Sequence, residues 1–172
     1  MSAKSFTINL KSKIKSYKKV IDIDSDKSLS IRSFIIGSIC QKISFANNIL
    51  ESEDVKSAIS TCRKLGVKIV KIKSKKYKIY GKGLGSFYAK KNAQLDFCNS
   101  GTLARLLIGV LSTTPNIEVK IRGDHSLNKR NMSKLINLMN DFGATFLPQN
   151  KNNFPLFSKK MKLVNKFKKK IQ

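Results

Sequence analysis

Hydrophobic and polar positions change period several times along the 172-residue chain. In residues 5–24 short apolar pieces (Phe6, Ile8, Leu10, then Val20, Ile21, Ile23) alternate with lysine, which predicts one or two strands joined by a turn. From Ser30 the spacing of Ile31, Phe34, Ile35, Ile39 and Ile43 becomes helical, with Ser28 or Ser30 as the expected N-cap. A second helix is predicted over residues 52–64, because Ser52 offers a capping hydroxyl and Glu53 and Asp54 put negative charge where the helix dipole favours it. Leu65-Gly66 closes that helix. Residues 67–73 and 77–80 alternate apolar and basic side chains and read as paired strands, with a glycine-rich loop at 81–85. Helices over 101–112 and 131–142 are each followed by a strand-like segment, 117–121 and 144–147.

Helix and strand thus alternate throughout, which defines an α/β fold. The pattern also repeats. The helix stop Leu65-Gly66-Val67-x-Ile69 matches Phe142-Gly143-Ala144-x-Phe146, and Arg32-x4-Gly37 matches Arg105-x3-Gly109, so two copies of one α/β unit are expected. The last segment, 158–172, is a lysine run that reads as a solvated tail.

Composition narrows the function classes. No apolar run approaches the roughly 20 residues that span a bilayer, and the lysine-rich N-terminus lacks the apolar core of a secretory signal, so a cytoplasmic location is expected. Cys40, Cys62 and Cys98 are widely spaced, with only His125 to join them, so neither a disulfide framework nor a metal site is expected. The net charge of +25 comes almost wholly from lysine. Lysine, asparagine and isoleucine are abundant together, as an AT-biased coding sequence would give, and a nucleic-acid-binding module has charge alone in its favour. Against that background the five arginines, Arg32, Arg63, Arg105, Arg122 and Arg130, stand out as positions where a forked guanidinium serves a purpose lysine cannot.

Three of them sit in polar clusters at predicted helix starts. Asp26-Lys-Ser-Leu-Ser-Ile-Arg32 places a cation, a hydroxyl and a guanidinium beside free N–H groups that favour an anion. Asn99-Ser-Gly-Thr-Leu-Ala-Arg105 repeats the arrangement, with Gly101 allowing close approach and Asn99 and Thr102 able to hydrogen-bond. Gly123-Asp-His-Ser-Leu-Asn-Lys-Arg130 is a turn-rich loop that delivers Arg130 to the start of the next helix. Three arginines at three helix starts suggest convergence on one polyanionic ligand. His125 has no recognisable acid or nucleophile beside it and enters no mechanism. The loop at 81–85 lacks the GK[ST] ending of a Walker A sequence, and no cofactor is indicated.

Taken in order, these clusters resemble the EPSP synthase family: Asp-Lys-Ser-x-Ser-x-Arg at 26–32, Asn-Ile-Leu-Glu-Ser-Glu-Asp-Val at 48–55, Gly-x-Gly-Leu at 81–84, Asn-Ser-Gly-Thr at 99–102 with Arg105, and Gly-Asp-x-Ser-Leu-x-x-Arg at 123–130. The related UDP-N-acetylglucosamine enolpyruvyltransferases carry Lys-Asn where this chain has Lys27-Ser28. The resemblance implies an inside-out α/β barrel built from βαβαββ repeats, of which this chain holds about two. Residues 1–24 would belong to a second domain and residues 25–157 to part of an enolpyruvyl transferase domain. It implies transfer of the enolpyruvyl group of phosphoenolpyruvate to shikimate 3-phosphate, with those two small molecules as partners, no nucleic acid and no membrane. Lys27, Ser28 and Arg32 would hold shikimate 3-phosphate, while Lys27, Gly101 and Arg130 would hold phosphoenolpyruvate, with Asn99, Thr102 and Arg105 in support. Two departures stand out. Asn131 replaces the family's proline after the arginine, and the family's Ser-Ser-Gln motif and acid-bearing domain have no counterpart, so the chain is expected to be a fragment needing the rest of the enzyme, or a non-catalytic truncated remnant of it.

Overall fold

The computed structural model describes residues 23–159, together with residues 7–9, 11, 16, 18 and 20. The strands expected within residues 5–24 and most of the tail expected from 158 therefore lie largely outside the described residues; none of the residues described before Lys27 is in a strand, whereas Ser158 and Lys159 belong to one.

Helix α1 (Lys27–Ile39) starts earlier than its apolar spacing indicates. Its N-cap is Asp26 and neither Ser28 nor Ser30: the Asp26 carboxylate accepts from the Leu29 N–H at 2.6 Å, a bond worth ~1 kcal/mol to a helix start. Ser30 instead donates to the Asp26 carbonyl at 2.7 Å and accepts from the Leu50 N–H at 3.0 Å, tying the first turn to the chain that leads into the next helix. The Asp26 cap makes Lys27 and Ser28 the first two helical residues.

Strand β1 (Ile43–Ala46) takes up Ile43, whose spacing had placed it on the helix. Helix α2 (Glu53–Lys64) has Ser52 at the N-cap position, but the expected capping bond is not made; Glu53 and Asp54 do occupy the first turn. Strands β2 (Lys68–Lys73) and β3 (Lys76–Tyr80) form the predicted hairpin, and β1 joins it to give an antiparallel sheet in the order β1-β3-β2.

The second unit opens with β4 (Gln94–Asp96), which the sequence pattern does not reveal, and continues through α3 (Gly101–Ser112) and β5 (Val119–Arg122). A short helix α4 (His125–Lys129) lies inside what reads as a loop, and α5 (Ser133–Asp141), β6 (Thr145–Leu147) and β7 (Leu156–Lys159) complete the unit. The expected boundary at residue 157 falls inside β7. The sheet order is β4-β5-β7-β6, with β4 parallel to β5 and the other pairs antiparallel. Set β1, β3 and β2 beside β5, β7 and β6 and the two sheets have the same order, and apart from β4 and the short α4 each strand and helix recurs in sequence. The second unit is a complete βαβαββ; the first matches it from its leading helix onward.

The repeated helix stops share one geometry. Gly66 and Gly143 have φ of +85° and +88°, a region that costs a side-chain-bearing residue steric strain. The N–H groups of Val67 and Ala144 each reach five residues back, to Cys62 and Met139, and close the helices in Schellman fashion. A shared apolar core joins the units. Phe34, Leu65, Ile79, Phe97, Leu103 and Ile121 are fully buried, and Ser57 on α2 donates to the Asp96 carbonyl of β4 at 2.6 Å.

Candidate functional site

Helices α1 and α3 pack side by side, so the positive ends of two helix dipoles meet at one edge of the core. Between them lies a cleft of about 440 Å³ lined by Lys27, Ser28, Asp54, Asn99, Ser100, Gly101, Thr102, Arg105 and Arg130. The N–H groups of Lys27, Ser28 and Thr102 have no acceptor among the described residues, as expected of first-turn amides. Ser100 is the N-cap of α3, its hydroxyl accepting from the Leu103 N–H at 3.2 Å.

Gly101 makes the cationic centre possible. A Cβ there would lie 2.8 Å from Arg130 Nη1 and 2.9 Å from Arg105 Nη1, so both guanidinium groups rest against a bare Cα. Arg130 is fixed by donating from Nη2 to Asn99 Oδ1 at 2.6 Å, whereas Arg105 makes only a long 3.4 Å bond to the Gly101 carbonyl. Two like charges so placed repel each other, and an anion beside them relieves the repulsion. Among the described residues the one carboxylate lining the cleft, Asp54, is engaged: its Oδ2 lies 2.9 Å from Lys27 Nζ.

The loop that presents Asn99 is held under local strain. Cys98 has φ of +46°, uncommon for a residue with a Cβ, and its N–H donates to Asp96 Oδ1 at 2.9 Å while its carbonyl accepts from the Asp124 N–H at 2.8 Å. The same Asp96 carboxylate accepts from Arg122 Nε at 2.8 Å, so one side chain braces β5, β4 and the loop between β4 and α3.

The structure thus brings together every residue assigned to the site except Arg32, which is exposed on α1 and does not line the cleft. Arg32 lies one turn beyond Ser28 on the same face of the helix. Arg130 is not at the start of the helix that follows it: it is the C-cap of α4, and α5 begins at Ser133. Two further arginines have structural partners, Arg63 donating to the Ile69 carbonyl at 2.7 Å and Arg122 bound to Asp96. Asp54 was legible only as a first-turn acid, and Ser100 only as part of a motif; nothing in the spacing signals that Asp54 crosses to Lys27.

A repeated α/β unit whose helix starts gather cations and free amides around one cleft defines the class, an α/β repeat protein with an anion-receptive edge. The profile described as EPSP synthase (3-phosphoshikimate 1-carboxyvinyltransferase) matches residues 11–169, and the chain belongs to that family. A 3-phosphoshikimate 1-carboxyvinyltransferase of Syntrophomonas wolfei is 35% identical over 146 residues, covering 85% of this chain and 33% of the relative. One from Desulforamulus reducens is 37% identical over 140 residues, covering 81% and 32%. Among solved structures, an EPSP synthase from Acinetobacter baumannii superposes with a TM-score of 0.73 at 31% identity, covering 81% of this chain and 31% of that one. The chain spans about a third of the length of the curated relatives it matches.

Proposed function

We propose that this chain forms part of the substrate cleft of an enzyme that transfers the enolpyruvyl group of phosphoenolpyruvate to shikimate 3-phosphate. The observation that carries the proposal is the convergence of Lys27, Arg105 and Arg130, from three separate segments, on one cleft between two helix starts. Two anions must be brought together and phosphate must leave, and fixed positive charge serves both steps. In this reading Lys27 touches both substrates, Ser28 and Arg32 hold shikimate 3-phosphate, and Gly101 and Arg130 receive phosphoenolpyruvate. Asn99 aims Arg130, while Thr102 offers its amide and Arg105 its charge. Arg32 reaches the ligand from the rim.

Residues 25–157 form part of one enolpyruvyl transferase domain in this reading, and residues 1–24 belong to a second domain. The partner in this reading is the C-terminal part of the enzyme, which the relatives carry beyond the matched region. An exposed apolar face on α1 supports such a partner: Leu29 is 62% and Ile36 57% exposed, an arrangement expected of a surface that another element covers. We place the protein in the cytoplasm, in keeping with its free cysteines; no helix among the described residues is long and apolar enough to cross a membrane.

Calorimetric titration of the chain with shikimate 3-phosphate, then phosphoenolpyruvate, tests the assignment. Lys27→Ala weakens both and Arg130→Ala weakens phosphoenolpyruvate alone. The 172-residue polypeptide alone binds without measurable turnover. Unchanged phosphoenolpyruvate affinity in Arg130→Ala would remove Arg130 from the site.

A further inference from the structure

Among the described residues, the sheet of β1, β3 and β2 has one face against the helices and one open. On the covered face Ser44, Ile79 and Ile69 stand abreast, and α1 approaches so closely that a Cβ on Gly37 would meet Ile79 Cδ1 at 2.8 Å. On the opposite face the register sets Ile43, Tyr80 and Lys68 in one row and Phe45, Lys78 and Val70 in the next. Phe45 is 58%, Ile43 48% and Val70 40% exposed, and Lys68 is exposed as well, while Lys78 and Tyr80 are half-buried.

Rings and lysines interleave on this face. Lys68 Nζ and Lys78 Nζ lie 5.0 and 5.1 Å from the centre of the Tyr80 ring, and Lys78 Nζ lies 5.9 Å from that of Phe45. The three strands contain five lysines and neither an acidic residue nor an asparagine. Coding bias accounts for many lysines in the chain as a whole. It does not account for a register that sets ring beside cation across one open face.

Each kind of group restricts the ligand. The lysines call for phosphates along a chain, and the rings call for flat groups free to stack on them. Duplex nucleic acid keeps its bases stacked on one another, and a lipid surface supplies charge without a flat group. We propose that the open face of the β1-β3-β2 sheet binds single-stranded nucleic acid, stacking bases on Phe45 and Tyr80 and drawing phosphates to Lys68 and Lys78. This face shares no residue with the anion cleft, so it stands or falls apart from the enolpyruvyl transfer reading.

Fluorescence anisotropy of a labelled oligothymidine of about 16 nucleotides, titrated with the whole chain at several salt concentrations, tests the proposal. Affinity falls steeply with salt, and Lys78→Gln reduces the slope of log K against log salt by about 0.7. Phe45→Ala and Tyr80→Ala each weaken binding about tenfold, the scale of one lost base stack, whereas Phe45→Trp retains it. Lys134→Gln, an exposed lysine on α5, leaves affinity and slope unchanged. Should either alanine variant lose its helical circular dichroism, Phe45→Leu and Tyr80→Leu replace them, with the same loss expected. Three results would overturn the proposal: affinity indifferent to both rings, a duplex of equal length bound as tightly, or binding to phosphatidylserine vesicles without binding to the oligonucleotide.

Discussion

Lys27 and Asp54 form an ion pair of 2.9 Å that joins the first turn of α1 to the first turn of α2 at the cleft. Asp54 is mostly buried and Lys27 half exposed, so the pair contributes modestly to stability, about 1 kcal/mol or less. Its larger effect is to aim Lys27 across the cleft. Asp54→Asn is expected to leave the melting temperature nearly unchanged and to weaken shikimate 3-phosphate binding roughly tenfold, a loss of about 1.4 kcal/mol. Tighter binding would mean that Asp54 competes with the ligand for Lys27.

Gly101→Ala separates space from charge. The added methyl meets only the ends of Arg105 and Arg130, which can swing away, so the fold tolerates it but the guanidinium groups leave their places. Phosphoenolpyruvate affinity should fall about tenfold or more while thermal stability changes by less than about 1 kcal/mol. An unchanged affinity would show that the two arginines do not act from these positions.

Gly81→Ala should do the reverse. A Cβ at Gly81 would lie 2.1 Å from the Cys40 carbonyl oxygen and 2.6 Å from that of Gly37, backbone atoms that cannot swing aside. The same stretch donates from Gly81, Lys82 and Gly83 to the carbonyls of Lys42, Ser38 and Cys40, so any shift also disturbs the end of α1. A loss of about 3 kcal/mol is expected in urea unfolding, at the upper end for overpacking.

Glu51 gives the fold an acid-sensitive joint. Hydrogen bonds from Lys71 and Tyr77 hold its carboxyl down at about 2, and Tyr77 donates to it at 2.7 Å. Burial first, then Glu51 itself, pushes Tyr77 up to about 12. A carboxyl held low in the folded state stabilises fully above its unfolded value near 4.5 and loses that contribution as pH falls towards 2. Stability measured by urea unfolding should therefore drop across that window in the parent chain and drop less in Glu51→Gln. The same substitution removes the charge that opposes Tyr77 ionisation, so the Tyr77 titration should move down in absorbance. Equal acid slopes in the two proteins would contradict the role given to Glu51.

The parts of the fold that were legible in the sequence are those with long, one-sided periodicity or a strong stop. α2 and α3 each bury a clear stripe, and Gly66 and Gly143 mark equivalent ends of two units. β1 was hidden because its polarity is inverted: Ile43 and Phe45 face out and Ser44 and Ala46 face in, so Ile43 fell into the helical spacing of α1. β4 has one buried side chain, Leu95, and α4 is a five-residue turn held by Asp124, both too short to set a period. Seven of the nine residues lining the cleft were reachable because motifs at helix starts carry their own chemistry, and Ser100 was legible only as part of one of them. Asp54 was not, since its partner lies on another helix and depends on packing that local sequence does not encode.

Backbone amide shifts during titration of shikimate 3-phosphate into the chain test the central claim most directly. The largest shifts are expected at Lys27, Ser28, Gly101 and Thr102, the residues of two helix starts that line the cleft, with their loss in Lys27→Ala. Shifts confined elsewhere, for example to the amide-rich cleft of Asn137, Asn140 and Asn150, or no shifts at all, would contradict it.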